Sequence, residues 1–284
     1  MIALSASCAR AEDAPAPAMW RVSDADSEIY LFGTFHILPP SLQWTTPALD
    51  AAMAKTPFTL TEADTKSPEA QAKLGALVQE LGLNPPGVTL SSLLGPERAK
   101  KFGDVSARFG APLAALEPMR PWLAMISLAV MAMQSQGYAS ESGAEEVLLG
   151  KAAAEGDTVA HLETAEYQIR ALAGLSNEEW LADFERGLEQ LEDFEGFSKR
   201  TLTAWSTGDI GVIEAEMIGP MRSTAPDAYK TLIVDRNRNW VGEIEKIMTG
   251  SDDYFIAVGA GHLIGADSVV EMLKQKGYAV ERAQ

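Results

Sequence analysis

Two apolar segments of the same kind decide the fold. Residues 29–36 read IYLFGTFH and residues 254–262 read YFIAVGAGH, so each run closes on Gly-x-x-His, at His36 and at His262. Runs this rich in β-branched and aromatic residues predict buried strands. The glycine in each allows a tight turn or the close approach of another group, and the histidine then stands where its strand leaves the sheet. Two imidazoles at matching strand ends indicate one shared site, for which a metal ion is the leading interpretation.

The rest of the pattern predicts an α/β fold. Strands are expected at 19–22, 28–35, 57–61, 158–162, 254–258 and 277–282. Helices are expected at 48–55, 67–81, 96–109, 121–136, 141–155, 209–218, 226–248 and 266–276, with a long amphipathic stretch from Ser176 towards Trp205. We therefore predict a single domain over residues 19–284. Its mixed β-sheet is built from both ends of the chain and flanked by helices, with a large helical middle section over about 90–250.

Composition limits the classes of function. The 284 residues carry a formal charge of −17, which disfavours nucleic acid as a partner. One cysteine, Cys8, excludes an internal disulfide and a cysteine-based zinc site. The longest apolar stretch, at 122–133, is shorter than the roughly 20 residues that span a bilayer, so no transmembrane segment is expected. The sequence leaves the oligomeric state open.

The composition of residues 1–18 predicts either a signal-peptide remnant or a disordered tail. Small residues around Ser5–Ala11 resemble a cleavage site, and a polar Pro/Ala spacer follows. The segment lacks the basic start and apolar length of a complete signal peptide, so we interpret it as the tail of one. A periplasmic or secreted location is the corresponding expectation.

Carboxylates follow the predicted strand at 57–61. Glu62 and Asp64 are two residues apart, so both face the same side if the strand continues. Glu62 is a candidate metal ligand or general base, although a solvated turn after a strand would have the same composition.

Other candidate residues occur later in the chain. Glu145 opens a predicted helix and Glu163 ends a short strand, and each has a structural as well as a functional interpretation. Arg236 and Asn237 lie inside an apolar-periodic helix, where asparagine is unfavourable unless its side chain is used. Arg236 could anchor a carboxylate of the substrate or of the site, or belong to a solvated polar face.

The motifs and their order resemble the TraB/GumN family, whose animal relatives are the Tiki proteins. The matching phrases are Gly33-Thr34-Phe35-His36, Glu62-Ala63-Asp64, Leu162-Glu163-Thr164 with Gln168, Trp205-x-x-Gly208-Asp209, Arg236-Asn237-x-x-Trp240 and Gly259-Ala260-Gly261-His262. The resemblance implies a fold related to the erythromycin-esterase-like and ChaN-like α/β proteins. It also implies metal-dependent proteolysis with His36, His262 and Glu62 as catalytic elements. Arg236, Glu145 and Glu163 match further family positions, and Gly33, Gly259, Asp64 and Asn237 are expected to support the site.

The leading hypothesis is a metal-dependent hydrolase, with peptidase activity favoured. His36, His262 and Glu62 would bind a divalent ion such as Mn, Co or Zn, and Arg236 would steady the substrate or an oxyanion. One alternative is a non-catalytic protein that sequesters a peptide or small ligand in the same cleft. In that case Arg236 would act with the aromatic side chains of Phe35, Trp240 and Tyr254. Another alternative is metal-free hydrolysis with His36 or His262 as the general base.

Overall fold

A six-stranded sheet runs through the molecule. The computed structural model describes residues 14–284, so most of the segment 1–18, for which a signal-peptide remnant or disordered tail is predicted, lies outside the described residues. The strands are β1 Met19–Ser23, β2 Glu28–Thr34, β3 Phe58–Thr61, β4 Thr158–His161, β5 Tyr254–Gly259 and β6 Ala279–Arg282. Their order in the sheet is β4-β3-β5-β2-β1-β6. The predicted α/β fold, with a sheet drawn from both ends of the chain, is confirmed.

The two segments that decide the fold are neighbours in the sheet. β2 and β5 run parallel, with Ile29 opposite Tyr254 and Thr34 opposite Gly259. β3 and β4 extend the parallel part, whereas β1 and β6 pair antiparallel to their neighbours. The side chains of β2 and β5 are buried almost without interruption. Their continuous apolar sequence follows from this burial, since helices cover both faces of a parallel sheet.

Fifteen α-helical segments surround the sheet within the described residues. They are α1 Pro47–Met53, α2 Pro68–Leu81, α3 Leu90–Arg108, α4 Leu113–Leu116, α5 Pro121–Ser135, α6 Ala144–Glu155, α7 Ala165–Gly174, α8 Asn177–Ala182, α9 Phe184–Glu192, α10 Phe194–Thr207, α11 Ile210–Ile213, α12 Gly219–Thr224, α13 Pro226–Tyr229, α14 Asp235–Ile247 and α15 Val269–Gln275. Two π-helical turns, Glu214–Ile218 and Lys230–Val234, connect α11 to α12 and α13 to α14. Short 3₁₀ turns lie at Ser140–Ser142 and Ala260–Leu263.

Some helix boundaries differ from the sequence-based expectation. The stretch expected to run from Ser176 to Trp205 is three helices, α8, α9 and α10, which meet at Asp183 and Asp193. The Asp183 carboxylate binds Arg186 and Thr224, and such side-chain hydrogen bonds compete with regular helix. The expected helix at 266–276 begins only after Ser268, whose hydroxyl accepts the backbone N–H of Glu271.

One further helix was missed, and another begins earlier than expected. α7 was not predicted, although its Thr164 cap accepts the backbone N–H of Tyr167. α3 begins at Leu90 rather than near residue 96, and its axis breaks at Gly95, where φ is +75°. The following Pro96 cannot donate a backbone hydrogen bond, which accounts for the break.

The core has two main parts. The larger packs the sheet against helices on both faces and contains the buried rings of Phe32, Trp205 and Trp240. The second belongs to the helical middle section and includes Phe102 and Phe184. Over residues 14–284, none of the helices has both the length and the apolar character needed to cross a membrane.

Candidate functional site

The candidate site lies at the edge of the sheet where the parallel strands end. His36 follows β2, Glu62 follows β3, His161 ends β4 and Gly259 ends β5. Parallel strands bring their carboxyl ends to one edge, where α/β proteins bind ligands. The sheet therefore carries both Gly-x-x-His motifs and the acidic residues after β3 to the same region of the molecule.

His36 forms an imidazole–carboxylate pair with Glu145. The His36 Nδ1 lies 2.6 Å from Glu145 Oε1, and the hydroxyl of Thr34 donates to the same oxygen at 2.5 Å. The His36 side chain remains 68% exposed, because its outer edge faces an open pocket. Surrounding protein atoms disfavour the charged ring, but the Glu145 carboxylate outweighs them and raises the pKa of His36 to about 9. Burial raises the pKa of Glu145, and the contact with His36 reverses this, so the net direction is downward.

Close backbone contacts hold this pair together. The N–H of Ala144 donates to the carbonyl oxygen of Phe35 at 2.9 Å, which docks the start of α6 against the end of β2. A Cβ on Gly143 would lie 2.1 Å from the carbonyl oxygen of His36. Glycine at this position is therefore what allows α6 to present Glu145 to the imidazole.

Arg236 is the centre of a second, buried network. Its Nη2 lies 2.6 Å from Glu62 Oε2 and 2.5 Å from Glu163 Oε1, and its Nε donates to Glu163 at 3.0 Å. The guanidinium also lies over the ring of Trp240, whose Nε1–H donates to the other Glu163 oxygen. The side chains of Arg236, Glu62 and Glu163 are only 11%, 12% and 6% exposed, so water weakens these contacts little.

His262 belongs to the same network and is buried behind it. The Asn237 Nδ2 donates to the carbonyl of Asp267, so Asn237 Oδ1 is the acceptor for His262 Nδ1–H at 2.7 Å. This places the proton on Nδ1 and leaves Nε2 to accept from Arg236 Nη1 at 3.0 Å. Burial lowers the pKa of His262 to about 3 against the attraction of Glu62, so the ring is neutral at neutral pH.

Glu62 joins the two halves of the site. Its Oε1 accepts the backbone N–H of Gly259 at 2.7 Å, and its Oε2 accepts from Gln168 Nε2 at 2.9 Å as well as from Arg236. Burial raises the pKa of Glu62, but His262, Arg236, His36 and the Gly259 N–H together lower it to about 2.

A pocket of about 550 Å³ opens over these residues. It is lined by the ends of β2, β3 and β4 and by α6, through His36, Ile37, Thr61, Glu62, Ala63, Asp64, Thr65, Lys66, Ser140, Glu145, Glu146, Leu149, Val159, His161 and Gln168. Glu62 and Asp64 both line it, although β3 ends at Thr61 and Asp64 lies in the following turn, where its carboxylate accepts the N–H groups of Lys66 and Ser67. His161 lines it too, with Nδ1 2.8 Å from the Thr61 hydroxyl. Arg236, His262 and Glu163 lie outside this lining.

Two of the three side chains expected to bind a metal, His262 and Glu62, are already engaged. His262 Nε2 faces a guanidinium that can only donate, and both oxygens of Glu62 accept hydrogen bonds. Over residues 14–284, no three His, Cys, Asp or Glu side chains are grouped so that they could hold a metal ion. In this arrangement His36, His262 and Glu62 do not fit a divalent ion, because a cation is already bonded to two of them.

Gly33 was expected to allow a close approach, but the sequence did not identify its partners or the role of Thr34. The Gly33 carbonyl accepts the Nε1–H of Trp205 at 2.8 Å, and a Cβ on Gly33 would lie 3.0 Å from the Cα of Ala260. The first Gly-x-x-His segment thus packs directly on the second. Thr34, which orients Glu145, lies inside the first motif, but its role there depends on α6, which comes much later in the chain.

Fold and site together define an α/β protein with an imidazole- and carboxylate-lined crevice at the ends of its parallel strands. The TraB/PrgY/gumN family model matches residues 18–282, and the chain belongs to this family. It is similar to the Metalloprotease TIKI homolog of Amphimedon queenslandica, with 32% identity over 79 residues. That match covers 27% of this chain and 16% of the relative, so the chain spans only a small part of that protein's length. No solved structure matches the chain.

Proposed function

We propose that the protein is a hydrolase of peptide bonds, with His36 as its proton-transfer group. The family and the distant relative described as a metalloprotease suggest hydrolysis. The observation that carries the proposal is the His36–Glu145 pair at the pocket. Glu145 fixes Nδ1, so the outward-facing Nε2 is the ring atom available to a water molecule or substrate.

The proposed reaction uses His36 as general base and then as general acid. In its neutral form, Nε2 removes a proton from a water molecule as the water attacks the scissile carbonyl. Glu145 balances the positive charge that forms on the ring, and the same Nε2 then delivers the proton to the leaving amine nitrogen. Thr34 and Gly143 act through Glu145 and are positioning residues. Glu62, with three hydrogen bonds, is a buried anion at the inner wall of the pocket.

The edge of the sheet beside the pocket supports an extended peptide as substrate. β4 is the terminal strand on this side, and all four of its residues are exposed. The N–H groups of Thr158 and Leu162 donate towards β3, so those of Val159 and His161 point towards the open edge. Exposed strand edges bind extended chains by main-chain hydrogen bonds. A peptide paired with β4 would pass the pocket that Val159 and His161 line.

Cleavage of a mixed-sequence peptide library, followed by mass spectrometry, tests the reaction. His36→Gln should reduce kcat by about 100-fold or more, because general acid–base catalysis contributes about 10²–10⁴. The matched variant His161→Gln changes a histidine in the same pocket and should alter KM more than kcat. Equal losses of kcat in the two variants, with both folded, would contradict the role of His36.

Proline substitution tests the edge-binding part of the proposal. Val159→Pro removes one outward N–H and leaves the bonds to β3, since proline is tolerated on edge strands. Loss of one hydrogen bond should reduce kcat/KM for peptides by about 3- to 10-fold. Val159→Thr keeps the N–H and the branched side chain, so it serves as the control. Identical kinetics for the two variants would exclude pairing at this edge.

The structure does not place the aromatic side chains where the alternative, a ligand-sequestering protein, would need them. Trp240 is fully buried, Phe35 stacks on Trp205 and Tyr254 stacks on Phe58. None of the three aromatic residues expected to hold a ligand lines the pocket.

A further inference from the structure

One guanidinium contacts three side chains of a type that binds metal ions. His262 Nε2, Glu62 Oε2 and Glu163 Oε1 lie 3.0, 2.6 and 2.5 Å from the Nη atoms of Arg236. These atoms follow β5, β3 and β4, and they surround one guanidinium, with His262 at Nη1 and the two carboxylates at Nη2. The guanidinium has a full positive charge and no lone pair.

The surrounding hydrogen bonds fix this arrangement. Asn237 sets the proton of His262 on Nδ1, so the lone pair of Nε2 is directed at Arg236. The Leu232 carbonyl, in the π-helical turn before α14, accepts from Arg236 Nη1 at 3.3 Å, and Trp240 covers one face of the guanidinium at 4.8 Å from its ring centre. Each edge of the guanidinium therefore has a partner, and the group is held from both its own helix and the sheet.

We propose that Arg236 is the resident cation of this centre and that it competes with divalent metal ions for the same donors. With the guanidinium in place, the centre takes no Mn²⁺, Co²⁺ or Zn²⁺, and the protein needs none. Arg236, Glu163, His262 and Asn237 are positioning residues that hold the Glu62 carboxylate against the Gly259 N–H. Removal of the guanidinium would leave two carboxylates and one imidazole without their shared partner, and these residue types bind zinc or cobalt if they close on one ion.

This inference concerns the same site as the proposed hydrolysis but does not require turnover. Full-length protein without a histidine tag is titrated with CoCl₂ and, separately, ZnCl₂, by calorimetry and by the visible absorption of bound Co²⁺. The variants are Arg236→Ala and the matched Arg238→Ala, which removes an exposed arginine from the same helix. Thermal unfolding with and without the ion is the second readout.

The expected result separates the two variants. Wild-type protein and Arg238→Ala bind no stoichiometric ion at the centre, and their Tm does not change with Co²⁺. Arg236→Ala binds one ion at least about tenfold more tightly than wild type, its Tm rises when Co²⁺ is added, and both effects disappear when His262→Gln is combined with it. If Arg236→Ala does not fold, Arg236→Gln takes its place. The titration of wild-type protein still tests by itself whether the centre binds an ion.

Two outcomes would overturn the inference. In the first, wild-type protein binds one ion, and the His262→Gln substitution abolishes this binding. In the second, Arg236→Ala folds but binds Co²⁺ and Zn²⁺ no more tightly than wild type. Cleavage is measured separately, before and after chelation. If the protein is inactive and binds no ion, only the proposed hydrolysis is refuted. If it is active with one ion bound through His262, only the inference of a metal-free centre is refuted.

Discussion

Replacement of Gly143 by alanine tests how the His36–Glu145 pair is assembled. The new Cβ would lie 2.1 Å from the His36 carbonyl oxygen and 2.8 Å from its carbonyl carbon. Close carbon–oxygen contacts are about 3.3 Å, so the two backbone segments must separate by about 1 Å. Gly143 has φ −56°, which alanine adopts freely, so the effect is steric and not conformational.

The loss of stability in Gly143→Ala can be bounded from the known cost of overpacking. Extra methyl groups in well-packed sites cost about 1–3 kcal/mol, and this one meets backbone atoms that cannot rotate away, so we expect about 3 kcal/mol of destabilisation. Gly150 lies in α6 with no atom within 4 Å of an added Cβ. Gly150→Ala should therefore stabilise the protein by about 0.5–1 kcal/mol through helix propensity.

Urea unfolding of the two variants measures the difference. The midpoint should fall for Gly143→Ala and rise for Gly150→Ala, with unchanged m-values. Peptide cleavage should drop only in Gly143→Ala, because displacement of α6 moves Glu145 away from the imidazole. A Gly143→Ala protein as stable as wild type would show that the contact between α6 and the His36 backbone is not as described.

Three further results are expected. Glu145→Gln should move the alkaline rise of kcat/KM from about pH 9 towards the ordinary histidine pKa near 6.5, and a pH profile of kcat/KM that does not shift would contradict the pairing. In wild type, the stability that the His36–Glu145 pair contributes is fully present below about pH 6.5 and is lost as the pH rises through about 9. Arg236→Met should reduce the free energy of unfolding by about 3–5 kcal/mol because it strands two buried carboxylates, whereas the exposed control Arg238→Met should change it by less than about 0.5 kcal/mol. Thr34→Val should lower kcat, whereas Thr34→Ser should retain it; equal kcat values would show that the hydroxyl does not orient Glu145.

The sequence predicted the sheet better than the site. The sequence located all six strands. For β2 and β5 the signal was a continuous apolar run, which buried parallel strands leave, whereas exposed β4 and β6 were located by their short β-type segments and the flanking turns. The two Gly-x-x-His motifs indicated that both ends of the chain contribute to one sheet, and the adjacency of β2 and β5 came from the structure. The breaks at Asp183 and Asp193 escaped prediction. The Asp183 carboxylate accepts from Thr224 on α12, a contact that the local sequence does not show, and Asp193 accepts from Arg200 in the helix that it precedes.

The chemistry within the site was less accessible from the sequence. His36, Glu62, Glu145, Glu163 and Arg236 were all named as candidates, but their partners were not. A strand end shows that a side chain can reach the crevice, whereas the pairing of Glu163 with Arg236 depends on the orientation of a helix. Asn237 gave the most direct local signal, as an amide inside a buried helix face must find a partner.

The position of β5 has a consequence for biosynthesis. This strand lies between β2 and β3 in the sheet but follows both of them by roughly 190 residues or more, so the nascent polypeptide carries two apolar strands with no central partner until residues 254–259 leave the ribosome. Contacts of such long separation form slowly, and unpaired strand edges invite aggregation meanwhile. Chaperones that shield exposed strands during translation are therefore expected to raise the yield of folded protein, and chains cut short before residue 254 should accumulate as insoluble material.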